Sequence, residues 1–443
     1  MSGTLFDILR EDVRSNTLPQ ISWIVAPEAF SEHGNWPANY GAWYISQVLD
    51  SLTANPDLWS KTVLIVTYDE NDGFFDHVVP PTPPRSAAEG RSTVDAGDEI
   101  FAGKSGNVTG PYGLGVRVPT ILVSPWSKGG WVCSEVFDHT SLIRFIERRF
   151  ASSHAGLIET NITAWRRAVC GDLTSAFDFA TPNVTRVALP DTAAYLPPDN
   201  QRHPDYVPTP PANQALPVQE RGLRRARALP YEIDASGTTD SANSAFRIDF
   251  ANTGKAGVCF HVRSGNTITG PWTYTVEAGQ SLSDEWNLAP SQGKYDLAVF
   301  GPNGFLRSFR GTASSHAKAN LAIDSRYDAD DLELILTVSN RGSATTRVTL
   351  ANAYGNDTDT GVLRPGQSLY KRWSLRESFG WYDVTIGTDA DRNFLWRLAG
   401  HIENGRDSAS DPALGSVGHR GHRWDDARGW GDATERLDSE KSA

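Results

Sequence analysis

The sequence predicts an α/β region followed by two small all-β sandwich domains. Short apolar runs alternate with loops and amphipathic segments up to residue 180, prolines crowd the next fifty residues, and an internal repeat follows. Strands that alternate with helices are typical of a parallel sheet, whereas short alternating strands with Gly, Asn and Asp turns indicate a sandwich. We therefore expect an α/β domain over residues 1–180, a Pro-rich linker over 181–229, sandwiches over 230–315 and 316–412, and a flexible charged tail over 413–443.

The first 67 residues contain the parts of a strand–helix–strand unit. Residues 5–13 are amphipathic, residues 21–26 (ISWIVA) form an apolar run, residues 40–52 have helical periodicity, and residues 63–67 (VLIVT) form a second apolar run. Such a unit predicts parallel strands joined by a right-handed crossover. Both runs are rich in β-branched residues, so we expect strands buried on both faces of the sheet.

An acidic cluster follows the second apolar run directly. It contains Asp69, Glu70, Asn71, Asp72, Gly73, Asp76 and His77. In open α/β sheets the functional groups lie beyond the carboxyl ends of the strands. Carboxylates and imidazoles are also the ligands that divalent metals use in phosphoryl chemistry. A polar turn with solvated charges is the competing interpretation, and the residues alone leave both open.

Two further histidines are candidates for the same site. His33 lies in the loop of residues 28–39 together with Glu32, and it could be a ligand, a phosphate-binding donor or an ordinary surface residue. His139 opens the amphipathic helix predicted over residues 138–150, where Asp138 or Thr140 would be the N-cap. A helix N-terminus favours an anion, but a capping or packing histidine is equally consistent.

The remaining segments of the first region are a long loop and one more strand. Residues 80–111 are irregular and rich in proline, so they could cover the site as a lid or form a plain surface insertion. Residues 118–124 (VPTILVS) predict the next buried strand.

Composition narrows the class of function. The 443 residues carry 53 acidic and 41 basic side chains, a net charge of -12. This balance argues against a nucleic-acid partner, which requires a basic surface. It leaves phosphate substrates open, because a metal can supply the positive charge. No apolar run approaches the roughly 20 residues of a membrane helix, and the first residues lack the basic and apolar segments of an export signal.

The three cysteines provide no disulfide framework and no zinc spacing. A bridge between Cys133 and Cys170 is conceivable in an exported protein, but we expect free thiols.

The internal repeat supports two copies of one sandwich. Gly279, Trp286 and Tyr295 recur as Gly366, Trp373 and Tyr382, each 87 positions later. Apolar residues alternate within each copy, as in residues 334–338, which is the pattern of strands with one buried face. Neither copy contains a catalytic constellation, so packing or surface recognition is the expected role.

Five motifs together resemble one enzyme family. They are residues 23–33 (WIVAPEAFSEH), 39–44 (NYGAWY), 67–77 (TYDENDGFFDH), 117–125 (RVPTILVSP) and 137–141 (FDHTS). These stretches are similar to the bacterial phosphocholine-preferring phospholipase C family, of the non-haemolytic type. That family resembles acid phosphatases and has an alkaline-phosphatase-like fold, so the resemblance implies part of that parallel sheet here. The β-repeat resembles the tandem C-terminal domains of the same phospholipases.

The resemblance assigns provisional roles to the candidate residues. Asp69 and Glu70 match metal-binding carboxylates, and His33 matches an imidazole that contacts the phosphate. Glu32, Asn71, Asp76, His77 and His139 fall near the site without a fixed role. The implied cofactor is a divalent metal ion of unknown identity.

The family's N-terminal part has no counterpart in this sequence. By resemblance, that part carries the export signal, a metal-binding Glu–Asn pair and the Ser or Thr nucleophile. We therefore expect the chain to behave as a C-terminal portion, without the nucleophile and with little activity alone.

The implied function is hydrolysis of phosphatidylcholine to diacylglycerol and phosphocholine by a secreted or periplasmic enzyme with transient membrane contact. An acid phosphatase of the same superfamily and a non-catalytic binding remnant are the alternatives. The sequence leaves the oligomeric state open.

Overall fold

The protein, seen here in a computed structural model, consists of a mixed N-terminal region packed against a long β-region. The structure describes residues 5–185, 187–196, 212–215, 221–313, 320–355 and 357–415. The helices are α1 (Asp7–Ser15), α2 (Ala38–Thr53), α3 (Pro56–Trp59), α4 (His139–Phe150), α5 (Ala164–Val169) and α6 (Pro412–Gly415).

The N-terminal region contributes short strands and the β-region contributes long ones. The strands before residue 230 are β1 (Leu64–Thr67), β2 (Gly90–Ser92), β3 (Ile100–Phe101), β4 (Gly110–Pro111), β5 (Thr120–Val123), β6 (Trp131–Val132) and β7 (Arg225–Ala226). The first repeat contains β8 (Ile233–Asp240), β9 (Ala245–Asn252), β10 (Val258–Ser264), β11 (Trp272–Val276), β12 (Ser281–Asn287), β13 (Lys294–Phe300) and β14 (Leu306–Thr312). The second contains β15 (Leu321–Asp328), β16 (Glu333–Asn340), β17 (Thr346–Asn352), β18 (Asp357–Leu363), β19 (Ser368–Ser374), β20 (Trp381–Thr388), β21 (Leu395–His401) and β22 (Ser408–Ala409).

Several predicted elements are confirmed. The helices expected over residues 40–52 and 138–150 are α2 and α4, and the runs at 63–67 and 118–124 form β1 and β5. Asp138 is the N-cap of α4: its carboxylate accepts a hydrogen bond from the Ser141 N–H, and the Ser141 hydroxyl accepts one from the Asp138 N–H. This reciprocal pair satisfies two backbone donors at the helix start.

The parallel sheet predicted for the N-terminal region is wrong for the described residues. β1 and β5 form a two-stranded antiparallel sheet, with Leu64 opposite Val123 and Thr67 opposite Thr120. Both strands are also only partly buried, in contrast to the expected two covered faces. An apolar run specifies an extended segment, but the direction of its partner depends on contacts distant in sequence.

The strand predicted over residues 21–26 is also absent. This segment is extended but forms no strand within the part of the chain that the structure describes, and Trp23 and Val25 are exposed. Its composition favours a strand, whereas strand formation requires a hydrogen-bonded neighbour.

Two small hydrophobic clusters hold the helices. The first joins α1, α2 and α3 through Phe6, Val13, Tyr44, Val48, Leu52 and Leu58. The second packs α4 and the β1–β5 pair against Leu173, Ala176 and Phe177. These clusters fix the loops that leave β1 and enter α4.

The two repeats are sandwiches that share one sheet, a feature the sequence did not predict. A nine-stranded sheet has the order β18-β17-β20-β21-β14-β13-β10-β11-β2, and β14 of the first repeat pairs with β21 of the second. Three-stranded sheets with the orders β12-β9-β8 and β15-β16-β19 complete the sandwiches. Both repeats contribute to one continuous hydrophobic core, so they form a single packed unit.

A buried asparagine marks equivalent positions in the two repeats. The Asn252 amide donates to the carbonyls of Ala256 and Val276, and its oxygen accepts from the Gly254 N–H. The Asn340 amide donates to the carbonyls of Ala344 and Leu363, and its oxygen accepts from the Gly342 N–H. Each asparagine thereby closes the turn after the second strand of its repeat.

The segment of residues 80–111 joins the two regions of the molecule. Its strand β2 extends the nine-stranded sheet by pairing in parallel with β11. The Cys259 thiol of β10 lies 3.5 Å from the Thr82 carbonyl, and the buried Trp165 indole of α5 donates to the Thr275 hydroxyl at 2.9 Å. Both the lid and the plain-insertion interpretations missed this structural role.

The ends of the linker and tail predictions differ from the structure. Arg225–Ala226, expected within the linker, form β7 between β6 and β22. Residues 186, 197–211, 216–220 and 416–443 lie outside the described part of the chain, so the rest of both predictions is untested there.

The cysteine prediction is confirmed, because Cys133, Cys170 and Cys259 are free thiols. Within the described ranges, no helix combines the length and the apolar character that a bilayer span requires.

Candidate functional site

Three segments approach one another beyond the end of β1. They are the loop of residues 31–36, the segment Tyr68–Asp72 that follows β1, and the first residue of α4. One observed contact links each pair of neighbouring segments, as described below. The sequence prediction that these motifs belong to one site is consistent with this arrangement.

Glu32 is held by Tyr68. The Tyr68 hydroxyl donates to Glu32 Oε2 at 2.8 Å, and both side chains are partly buried. Burial, together with the hydrogen bond and the negative charge of Glu32, raises the pKa of Tyr68 to about 12. Tyr68 is therefore a protonated donor at neutral pH.

Gly41 of α2 makes room for Glu32. A Cβ on Gly41 would lie 2.2 Å from the Glu32 side chain, closer than real atoms approach. Glu32 also has a φ of 65°, in the left-handed region that non-glycine residues seldom adopt. The chain thus accepts local strain to present this carboxylate beside the acidic strand end.

Asp72 contributes a buried carboxylate oxygen. Its Oδ2 is buried and has no hydrogen-bond partner among the described residues. The same oxygen lies 2.8 Å from the position that a Cβ on Gly34 would occupy, so Asp72 faces the loop next to His33. An unpaired buried carboxylate oxygen is costly, and a cation or a water would relieve that cost.

His139 joins α4 to the acidic strand end. Its Nε2 lies 3.1 Å from the Asp69 carbonyl oxygen. Because a carbonyl can only accept, Nε2 carries the proton and Nδ1 is left as the nitrogen that can accept a proton or a metal. Metal-binding histidines commonly use one ring nitrogen in this way.

A buried ion cluster fixes the start of α4. Arg166 of α5 bonds to Asp138 Oδ2 at 2.7 Å and to Glu99 Oε1 at 2.8 Å. The side chains of Asp138 and Glu99 are almost fully buried. Breaking such a cluster leaves an uncompensated buried charge, so it constrains the position of His139 strongly.

The other predicted residues contact the solvent or stabilise the loop. His33, Glu70 and His77 are exposed. The Asn71 amide donates to the Phe74 carbonyl at 2.8 Å and closes a turn. Asp76 forms an ion pair with Arg117, with Nε and Oδ2 2.5 Å apart.

Asp76 stabilises the loop in its ionised form. Partial burial alone would raise the pKa of Asp76, but hydrogen bonds from the Val78 N–H and from Arg117 together lower it. This residue is thus a charged anchor at neutral pH.

The donor types of the site fit a divalent cation, whereas their number does not. Carboxylates and an imidazole are suitable ligands, and the unpaired Asp72 oxygen is available. However, no three His, Cys, Asp or Glu side chains among the described residues come close enough together to hold a metal ion. The described residues therefore provide at most part of a coordination shell.

Sequence reasoning missed the residues that support the site. Tyr68, Arg117, Arg166 and Glu99 were not candidates, although Tyr68 and Arg117 lie within the recognised motifs. Their motif positions were the available signal. Arg166 and Glu99 come from unremarkable segments, and only the packing of α5 shows their role.

The largest groove of the described structure lies elsewhere. It has a volume of about 1170 Å³ and lies between α2, β5 and the segment of residues 183–193. None of the predicted site residues lines it. Cavity size alone would therefore direct attention away from the acidic strand end.

Comparison with known proteins defines the class. An acidic strand end beside two histidines, followed by paired sandwiches, is the layout of a phosphoesterase with accessory β-domains. Residues 1–152 match the Phosphoesterase family, and residues 225–312 and 321–401 match the domain described as bacterial phospholipase C, C-terminal domain. The chain therefore belongs to the bacterial phospholipase C family of phosphoesterases.

The similar proteins bear consistent names. The chain is 56% identical over 418 residues to the non-hemolytic phospholipase C of Burkholderia pseudomallei, covering 94% of this chain and 60% of that protein. It is 46% identical to the non-hemolytic phospholipase C of Pseudomonas aeruginosa, covering 94% of this chain and 61% of that protein. The chain thus spans about 60% of the length of these relatives. Among solved structures, a biofilm-associated BSP domain has a TM-score of 0.19 at 14% identity over 38% of this chain and 29% of that one, which carries no argument.

Proposed function

We propose that this chain forms part of a phospholipase C-type phosphodiesterase that hydrolyses phosphatidylcholine to diacylglycerol and phosphocholine. The observation that carries the proposal is the meeting of the Glu32 loop, the Asp69–Asp72 segment and His139 beyond β1. High identity to proteins named phospholipase C supports the choice of substrate class. The enzyme would be secreted or periplasmic and would touch the membrane transiently.

The proposed roles follow from the chemistry of each side chain. His33 is exposed and would donate a hydrogen bond to a non-bridging phosphoryl oxygen, where negative charge grows during the reaction. Asp69 and Glu70 would hold a divalent metal ion together with donors from outside the described residues. When bound, that ion would supply positive charge to the phosphoryl group.

The hydroxyl nucleophile is not among the residues assigned here. A nucleophile of this kind would attack phosphorus in line, diacylglycerol would leave, and water would release phosphocholine. We therefore propose that the 443-residue chain alone turns substrate over slowly. An assay of the purified chain on p-nitrophenylphosphorylcholine and on phosphatidylcholine, with added divalent metals, tests this. Turnover comparable with that of a named relative would contradict it.

Asp69→Asn tests the metal role independently of turnover. Removing one carboxylate charge should weaken binding of Mn²⁺ to the chain at least tenfold, measured by the paramagnetic resonance signal of the free ion. The matched control is Asp324→Asn in the second repeat, which should leave Mn²⁺ binding unchanged. Equal binding by wild type and Asp69→Asn would refute the assignment.

A non-catalytic binding protein is the second candidate. The specific observation in its favour is that the described residues bring together no three metal-binding side chains. The two candidates differ in the assay above when it includes a phosphomonoester. Turnover of the diester supports the phospholipase, preferential turnover of the monoester supports the acid phosphatase alternative, and lipid binding with no turnover supports the binding protein.

A further inference from the structure

Two adjacent phenylalanines project from the loop that follows the acidic strand end. Phe74 is 78% exposed and Phe75 is 75% exposed, and Val78 and Val79 nearby are also exposed. Large apolar side chains favour burial, so two neighbouring phenylalanines left in the solvent are unusual. Clustered exposed apolar residues generally mark a surface that another partner covers. We call Phe74 and Phe75 the Phe tip.

Polar contacts on both sides of the Phe tip hold it away from the protein. The Phe74 N–H donates to the Asn71 carbonyl at 2.9 Å, and the Asn71 amide donates back to the Phe74 carbonyl at 2.8 Å. On the other side, Asp76 accepts from the Val78 N–H at 2.8 Å and pairs with Arg117. The loop is therefore closed at both ends, and its geometry imposes the exposure of the two rings.

We propose that the Phe tip inserts into the surface of a zwitterionic phospholipid layer and holds the site against the head groups. The proposal rests on the proposed function and names the element that makes the membrane contact. Aromatic side chains favour the interface between water and hydrocarbon. Insertion of two rings would place the neighbouring acidic segment at head-group depth.

Charge selects the kind of lipid surface. The Phe tip is flanked by Asp69, Glu70, Asp72 and Asp76, and the whole chain has a net charge of -12. Acidic side chains repel a layer of anionic lipids. They are compatible with phosphatidylcholine, whose outermost group is a cationic trimethylammonium. We therefore commit to a zwitterionic surface, with a second copy of the chain as the alternative occupant.

Vesicle co-sedimentation of the full chain tests the proposal without requiring turnover. Wild type should bind phosphatidylcholine vesicles, and Phe74→Ser/Phe75→Ser should bind at least tenfold more weakly. The control Tyr370→Ser removes an exposed aromatic ring from β19 and should bind like wild type. Vesicles in which a third of the lipid is phosphatidylglycerol should bind wild type more weakly than phosphatidylcholine alone.

Further measurements keep the result decisive. Phe74→Leu/Phe75→Leu preserves apolar side chains and should retain most of the binding, so a folding defect of the serine variant cannot imitate the effect. No binding by wild type, equal binding by the serine variant, or a wild-type dimer that the serine variant converts to a monomer in sedimentation velocity would each overturn the proposal. Absence of diester turnover would count against the proposed function alone, because the vesicle experiment measures binding.

Discussion

At the scale of single residues, the site depends on side chains that fit through the absence of others. Glu32 reaches Tyr68 because Gly41 has no side chain, and Asp72 approaches the neighbouring loop because Gly34 has none. Asp69, Glu70 and His33 could be selected from their motifs, since carboxylates and imidazoles carry recognisable chemistry. The partners of Glu32 and Asp72 could not, because steric room is a property of packed neighbours.

Gly41→Ala should displace Glu32 and destabilise the N-terminal region. The new methyl group would overlap Glu32 in a site already packed, which costs about 1–3 kcal/mol in the free energy of unfolding. Urea titration followed by tryptophan fluorescence measures the change. Gly156→Ala is the control, since no atom lies within 4 Å of the added Cβ. An equal effect of both substitutions would contradict the steric explanation.

At the scale of elements, α4 is positioned by contacts from α5. Arg167 of α5 donates to Glu147 Oε1 at 2.9 Å and to Oε2 at 3.0 Å, and the Glu159 N–H donates to Oε1 at 2.6 Å. Hydrogen bonding from Arg167 is the main cause that lowers the pKa of Glu147, against the smaller opposing effect of burial. Together with Arg166, this pair ties both ends of α4 to α5 and so fixes His139.

The lowered pKa of Glu147 predicts a pH-dependent stability. The ionised carboxylate stabilises the fold at pH values above the unfolded pKa of roughly 4.3, and this contribution is lost as pH falls through the lower folded pKa. Glu147→Gln should therefore cost about 1 kcal/mol at pH 7, and the difference from wild type should shrink below about pH 4. Chemical denaturation across pH 3 to 7 measures this.

The exposed ion pair of Glu11 and Arg14 provides a control for that experiment. Glu11→Gln removes a charge from an exposed pair on α1 and should leave the unfolding free energy almost unchanged at every pH. A difference for Glu147→Gln that stays constant down to pH 3 would show that the charge is not responsible.

At the scale of the whole molecule, the first repeat is joined to the phosphoesterase region as a structural support. Residues 80–111 follow the Phe tip directly and add β2 to the large sheet, while Trp165 is fully buried against β11. The Gly257 N–H of the first repeat also donates to the Ala168 carbonyl at the end of α5. The loop that carries the site therefore depends on the β-region for its position.

Trp165→Ala should uncouple the two regions. Truncating a fully buried tryptophan costs about 3–5 kcal/mol, and here it also leaves the Thr275 hydroxyl without its indole donor. We expect the single thermal transition of wild type to split in calorimetry, with the N-terminal region melting first. Trp23→Ala, which removes an exposed ring, should leave one transition. A single, merely shifted transition for Trp165→Ala would argue against coupling through this contact.

The sequence by itself determined the class of most elements, the repeat and the main candidate residues. Local periodicity, capping residues and the acidic motif are properties of neighbouring positions, so α2, α4, β1 and β5 were predicted with nearly correct bounds. The repeat was visible because glycine, tryptophan and tyrosine recur at a constant spacing.

Only the tertiary structure decided how those parts pair. The antiparallel register of β1 and β5, the sheet shared by both repeats, and the addition of β2 to it join positions far apart in sequence. An apolar strand can accept neighbours of either direction, and the choice depends on the packing of the whole chain. For the same reason, the motif predicted Asp69 and His139 as neighbours of one site, whereas their contact through a backbone carbonyl became visible only in the fold.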